Sequence, residues 1–218
     1  MDYFSSTYPE PWQILGLKLR PFSFGHYFKL QRLGCAFVSD KSETATLGDL
    51  LLGVLVCTLP SDPDAAADPF WAWLNREHGG WRYRLYVWLA KLLRKPPLSP
   101  AEWDVFRLGQ QIGPFDFGEK VRLFADYIKH HSEAPLYFEE PRPQSSKRSG
   151  AHWAHAIVHT VAAKCGYTLD QAYNAPMAQV LADYFRYAET EGAVRLMTPD
   201  EVEFTEAWRA KHSKSPAS

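Results

Sequence analysis

The sequence predicts a mainly α-helical, multi-helix globular protein of about eight helices, with one short strand or extended arm near its start. Three observations carry this. Apolar residues recur at helical spacing through most of the chain. Ser/Thr-x-x-Glu pairs and glycines punctuate those segments at helix-start and helix-stop positions. Hydrophobic residues make up 46% of 218, enough to build a sizeable core.

The elements follow in order. In ILGLKLRPF, residues 14–22, Leu15, Leu17 and Leu19 fall on one side and Lys18 and Arg20 on the other, the strand or arm ending at Pro21. Ser23 stands where an N-cap would, before a helix over 24–33 with Gly34 as its C′ residue. Ser42 or Thr46 opens the next helix, through Leu59. Its run from Leu47 to Leu59 is apolar, but at 13 residues it is too short to cross a bilayer and reads as a buried helix. Residues 66–78 form a helix with Phe70, Trp71 and Leu74 on one side, stopped by Gly79-Gly80.

The strongest helical segment is WRYRLYVWLAKLLRK, residues 81–95. Trp81, Leu85, Trp88, Leu89 and Leu92 share a face, while Tyr83, Tyr86, Val87, Ala90 and Leu93 make the rest largely apolar. Such a helix belongs at the centre of a core or under a partner, and the core is the first expectation. Ser99 with Glu102 forms a capping box for a helix to Gln111. Residues 117–132 are amphipathic, with Val121, Phe124, Ala125 and Ile128 on the stripe.

EEPRPQSSKRSG, residues 139–150, combines prolines, serines and a glycine with no apolar residue. It reads as a linker or mobile loop. It divides an N-terminal region, 1–138, from a C-terminal region, 151–218, which can still pack as one domain. Helices follow over 151–166, from Thr168, and from Met177 to Glu191 before Gly192. The last starts at Thr198 with Pro199 and Glu201 and runs to Lys211, leaving SKSPAS to fray.

Charge and composition exclude several classes. The net charge of -1 and pI of about 6.7 give no basic excess for nucleic acid. Cys35, Cys57 and Cys165 are few, odd in number and far apart, as in a reduced compartment. The opening MDYFSSTYPEPW has no basic start before an apolar run, so no secretory leader and no membrane partner are expected, and the protein reads as cytoplasmic.

Chemistry-bearing patterns are sparse. His152, His155 and His159 fall on one helix face and could in principle ligate a metal for a helical enzyme. No HExxH is present and no carboxylate lies between 151 and 164, so a polar stripe between helices is the first expectation. GxSxG, GxGxxG and GxxxxGK[ST] do not occur, and neither a cofactor nor catalytic residues are expected. Arg76, Arg82, Arg84, Lys91, Arg94 and Lys95 face only Glu77, whereas seven acids between Asp183 and Glu206 face Arg186 and Arg195. Both read first as solvated faces pairing partly within the molecule. Read functionally, the first is a basic aromatic surface for an acidic or helical partner.

The stretch CGYTLDQAYNAPMAQVLADYFRYAETEGAVRLMTPDE, residues 165–201, resembles the end of tail assembly chaperones of long-tailed bacteriophages and prophages. The matching pieces are Gly166, Leu169 to Ala172, Pro176 to Ala178, Glu191-Gly192 and Thr198 to Glu201. ILGLKLRPFSFGHYFKLQRLG, residues 14–34, is similar to the openings of such prophage proteins. The pattern covers a quarter to a third of the chain and leaves the Trp-rich stretch 66–95 without a counterpart.

The resemblance implies a viral tail assembly chaperone of the bacterial host cytoplasm. Such a protein is not an enzyme. Its partners are the long helical tape-measure protein and the tail-tube protein. Composition, and not the resemblance, suggests the contacts: Trp81, Tyr83, Tyr86 and Trp88, with Tyr184 and Tyr187 on the penultimate helix. A helical module of another role is the remaining reading.

Overall fold

The computed structural model describes residues 12–39, 44–64, 66–113, 115–139 and 152–212. Ten α-helices lie among these residues, two of them only six residues long, with two short antiparallel strand pairs. All but Glu139 of the expected linker, the tail SKSPAS and the alternative cap Ser42 lie outside the described residues.

The arm is a tight hairpin. β1 (Gln13–Ile14) pairs with β2 (Leu17–Lys18), and the chain reverses through Leu15 and Gly16, both at positive φ. The single-strand alternation is thus corrected: Ile14 and Leu19 are the buried residues, because the turn flips the facing of those between.

α1 (Phe24–Arg32) starts where Ser23 accepts the His26 N–H, and His26 returns the bond to the Ser23 N–H through Nδ1. It ends as the sequence indicates. Gly34 sits at φ 69°, and the Cys35 N–H reaches back to Leu30. α2 (Leu47–Thr58) starts at Thr46, which shares a capping box with Asp49, and buries Leu50, Leu51, Val54, Val56 and Cys57.

α3 (Pro69–Leu74) is shorter than the expected 66–78 because Asp68 caps it late and Pro69 takes the first helical position. α4 (Trp81–Leu92) and α5 (Pro100–Gly109) follow, the latter on the expected Ser99–Glu102 box. α6 (Phe117–Ser132) matches the expected bounds, but its buried residues are Phe124, Tyr127 and His131, and Ala125 is exposed. The Tyr127 hydroxyl donates to the Arg20 carbonyl at 2.5 Å, which fixes that rotation.

Beyond β3 (Tyr137–Glu139) the helices are α7 (Trp153–Lys164), α8 (Leu169–Asn174) and α9 (Met177–Thr190). β4 (Val194–Leu196) returns to pair with β3, Tyr137 opposite Leu196 and Glu139 opposite Val194. α10 (Pro199–His212) closes the described chain.

One core joins both sequence regions. Phe22, Phe24 and Leu30, with Val54, Phe124 and Tyr127, pack in the same cluster as Val158, Val161, Val180 and Leu181. The extended backbone at Ser23 bridges to Pro176, and the Met177 N–H donates to the Phe22 carbonyl. No helix among the described residues is long and apolar enough to cross a membrane.

Candidate partner-binding surface

α4 lies outside this core. Of its residues only Ala90 is buried. Trp81 is 71% exposed, Trp88 59% and Leu92 67%, with Leu85 and Leu89 exposed beside them. The expectation of a core helix is therefore corrected. The five residues share a face, as their spacing indicates, but that face points to solvent.

The opposite face explains the orientation. The Tyr83 hydroxyl donates to the Leu98 carbonyl at 2.9 Å, and the Leu98 N–H donates to the Tyr86 hydroxyl at 3.0 Å. Tyr86 stacks on Trp103 of α5, centroids 4.3 Å apart. Two tyrosines can bury their rings and still satisfy their hydroxyls at a loop, whereas the outward face is Trp and Leu with no such partners on the loop. So Tyr83 and Tyr86 hold the helix down, and Trp81 and Trp88 face out.

The end of α4 is locked. The Lys95 N–H bonds the Ala90 carbonyl and the Arg94 N–H the Lys91 carbonyl, a Schellman closure with Arg94 at φ 53° in place of glycine. Pro96 and Pro97 follow. Arg82, Arg84 and Lys91 flank the apolar stripe, and no acid occurs between His78 and Ala101. The result is an apolar stripe with a basic rim; Leu93 at the end of α4 and Phe106 of α5 are exposed as well.

Tyr184 and Tyr187 line a separate shallow cleft between α7 and α9, together with His159, Lys164 and Glu191. His155 instead stacks on Phe28 of α1 at 4.1 Å, and its pKa is lowered by burial and by His152 and His159. His152 caps α7 by accepting the Ala154 N–H, and its Nε2 lies 3.2 Å from the Gln31 amide. The three histidines thus serve a helix contact, a cap and a cleft wall. Among the described residues no group of three or more His, Cys, Asp or Glu could hold a metal ion.

The thiols are held in their neutral form. Burial pushes Cys57 up to about 12 and Cys35 to about 11, and burial with Asp183 raises Cys165.

Sequence reasoning passed over a second exposed aromatic pair. Phe204 and Trp208 on α10 are 72% and 54% exposed. Their i, i+4 spacing among acids was the available signal. No family model, curated protein or solved structure matches the chain.

Proposed function

We propose that this protein is a non-enzymatic tail assembly chaperone of a long-tailed bacteriophage or prophage, acting in the host cytoplasm on a long helical tape-measure protein. The observation that carries the reading is the solvent-facing stripe of Trp81, Leu85, Trp88, Leu89 and Leu92. Contiguous exposed apolar surface with a polar rim marks a binding face. Residues at i, i+4, i+7, i+8 and i+11 suit a helical client, whose own apolar stripe aggregates when left open. The resemblance of residues 165–201 and 14–34 supplies the identity of that client.

In this reading Trp81 and Trp88 are the anchors, because large rigid aromatics carry most of an interface's energy. Arg82, Arg84 and Lys91 select clients with acidic flanks and speed encounter. One helix face gives limited affinity, so the tail-tube protein can displace the chaperone as the tail assembles. Tyr184 and Tyr187 offer a second, smaller contact at the α7–α9 cleft.

The test is affinity capture of the tagged full-length protein from its native cells, beside a Trp81→Ser/Trp88→Ser variant. A long helical tape-measure protein should co-purify with the wild type and be lost with the variant. Equal recovery with both, or none with the wild type, overturns the reading.

A further inference from the structure

The exposed face of α4 repeats every seven residues. Trp81 and Trp88, Leu85 and Leu92, and Arg84 and Lys91 each stand one heptad apart. In heptad terms Leu85 and Leu92 take the a positions, Trp81 and Trp88 the d positions, and Arg84 and Lys91 the g positions. Tyr83, Tyr86 and the buried Ala90 fall on the far side, toward the fold. The open face is thus one half of a two-helix seam.

The two edges of that seam differ. Along one, Arg84 and Lys91 are exposed, and among the described residues neither has an ion-pair or hydrogen-bond partner. Their seven-residue spacing sets them roughly 10 Å apart along the axis. Along the other, at e, stand Arg82 and Leu89. The Arg82 guanidinium lies over the Trp81 ring, 5.3 Å from its centroid, and Leu89 continues the apolar surface. Arg94 and Lys95 lie past the last helical turn.

We propose that the segment this stripe takes is an amphipathic helix with acidic residues seven apart along one edge of its own apolar seam, and that Arg84 and Lys91 set this specificity. The inference deepens the chaperone reading and rests on it for treating that helix as a client. Two helices lying side by side rise at the same rate, so carboxylates one heptad apart meet both cations at once. Acids at other spacings meet one cation or neither, and basic residues there are repelled. An apolar stripe alone accepts many amphipathic helices, so the choice among them falls to the charged edge.

Charge argues against the other occupants. Two α4 helices laid antiparallel would set the basic g edges against each other, and laid parallel would set Arg84 against Leu89. A flat anionic lipid surface attracts cations on both edges alike and reads no seven-residue spacing, whereas here the free cations of the helix gather on one edge.

The experiment is fluorescence anisotropy of labelled synthetic helices titrated with the purified full-length protein. Every peptide carries leucine at a and d. Two carry glutamate at g or at e, a third carries lysine at both, and a fourth has its glutamates moved to the outward b, c and f positions. At least one of the first two should bind about tenfold or more tighter than the third and fourth. Arg84→Glu/Lys91→Glu should reverse the preference in favour of the lysine peptide, and Arg82→Glu should leave it in place. All three side chains are exposed, and an unchanged melting curve confirms that each variant folds.

No binding, equal affinity for all four peptides, or a preference that the double variant does not reverse overturns the proposal. So does a stripe claimed by another occupant, read as displacement of the peptide by phosphatidylglycerol vesicles or as a dimer that the peptide dissolves. The measurement uses the purified chain and designed helices, so failure to capture a tape-measure protein would sink the chaperone reading and leave this result standing. Equal affinities beside a captured tape-measure protein would sink this inference alone.

Discussion

The Lys29 ammonium lies 2.9 Å from the Asp68 carboxylate, with both side chains almost fully withdrawn from water. Lys29 also donates to the Pro60 carbonyl at 3.1 Å, and Asp68 accepts the N–H groups of Asp62 and Phe70. The pair ties α1 to the turn before α3. Burial lowers the Lys29 pKa and Asp68 opposes the shift, so the ammonium depends on its partner.

Breaking this pair should therefore cost about 3–5 kcal/mol. Asp68→Ala strands an ammonium and two backbone donors and should fall at the upper end. Lys29→Met leaves Asp68 its two N–H donors and should fall at the lower end. Urea unfolding of both variants checks the order, and the reverse order would contradict this account.

Stability should fall in mild acid. His26 is buried with Nε2 2.9 Å from the Leu59 carbonyl, and its Nδ1 accepts the Ser23 N–H, a bond that a proton on Nδ1 abolishes. Burial lowers its pKa to about 4, aided by Lys29 and Arg20. Burial lowers His131 to about 4 as well, followed by the effect of His130.

Both histidines are neutral in the fold, while the unfolded chain takes up protons at 6.5. Their stability is full above pH 6.5, declines as pH falls, and levels off near 4, by up to about 3 kcal/mol for each histidine. Glu201 is held down at about 2, chiefly by Arg195, so its loss lies below this window. Urea midpoints just above pH 6.5 and near 4 test the sign, and His26→Gln should flatten the slope.

Two glycine-to-alanine changes should act in opposite directions. At Gly53 a Cβ would meet Phe124 Cε1 at 2.6 Å, and that ring is fully buried between Phe37 and Tyr127. Alanine's gain in helix propensity is about 1 kcal/mol, while overpacking costs about 1–3 kcal/mol, so Gly53→Ala should destabilise. Gly118 has open space where its Cβ would stand, so Gly118→Ala should stabilise by about 0.5 kcal/mol. Thermal melts of both variants decide the point.

The Trp81 stripe should be dispensable for folding. Trp88→Ser and Leu92→Ser should each change stability by no more than about 0.5 kcal/mol while reducing binding of a hydrophobic dye. Phe124→Ala, in the core, should cost about 3–5 kcal/mol. A large loss from Trp88→Ser would mean that the stripe is structural.

Local chemistry made the helices legible in the sequence. Ser23, Thr46, Ser99 and Thr168 cap where their spacing places them, and Gly34 and Gly192 take the positive φ that ends a helix. These signals lie within three or four residues of the bonds they make, so no knowledge of the remaining chain is needed. The β3–β4 pair was not legible, because its partners are joined only by tertiary packing and each strand has three residues.

The outward turn of α4 was hidden for a related reason. Periodicity groups Trp81, Leu85, Trp88, Leu89 and Leu92 on one face but cannot say whether water or protein meets it. Two hydrogen bonds at Leu98 and a ring stacked on Trp103 decide it, since they claim the tyrosine face for the fold and leave the tryptophan face to solvent.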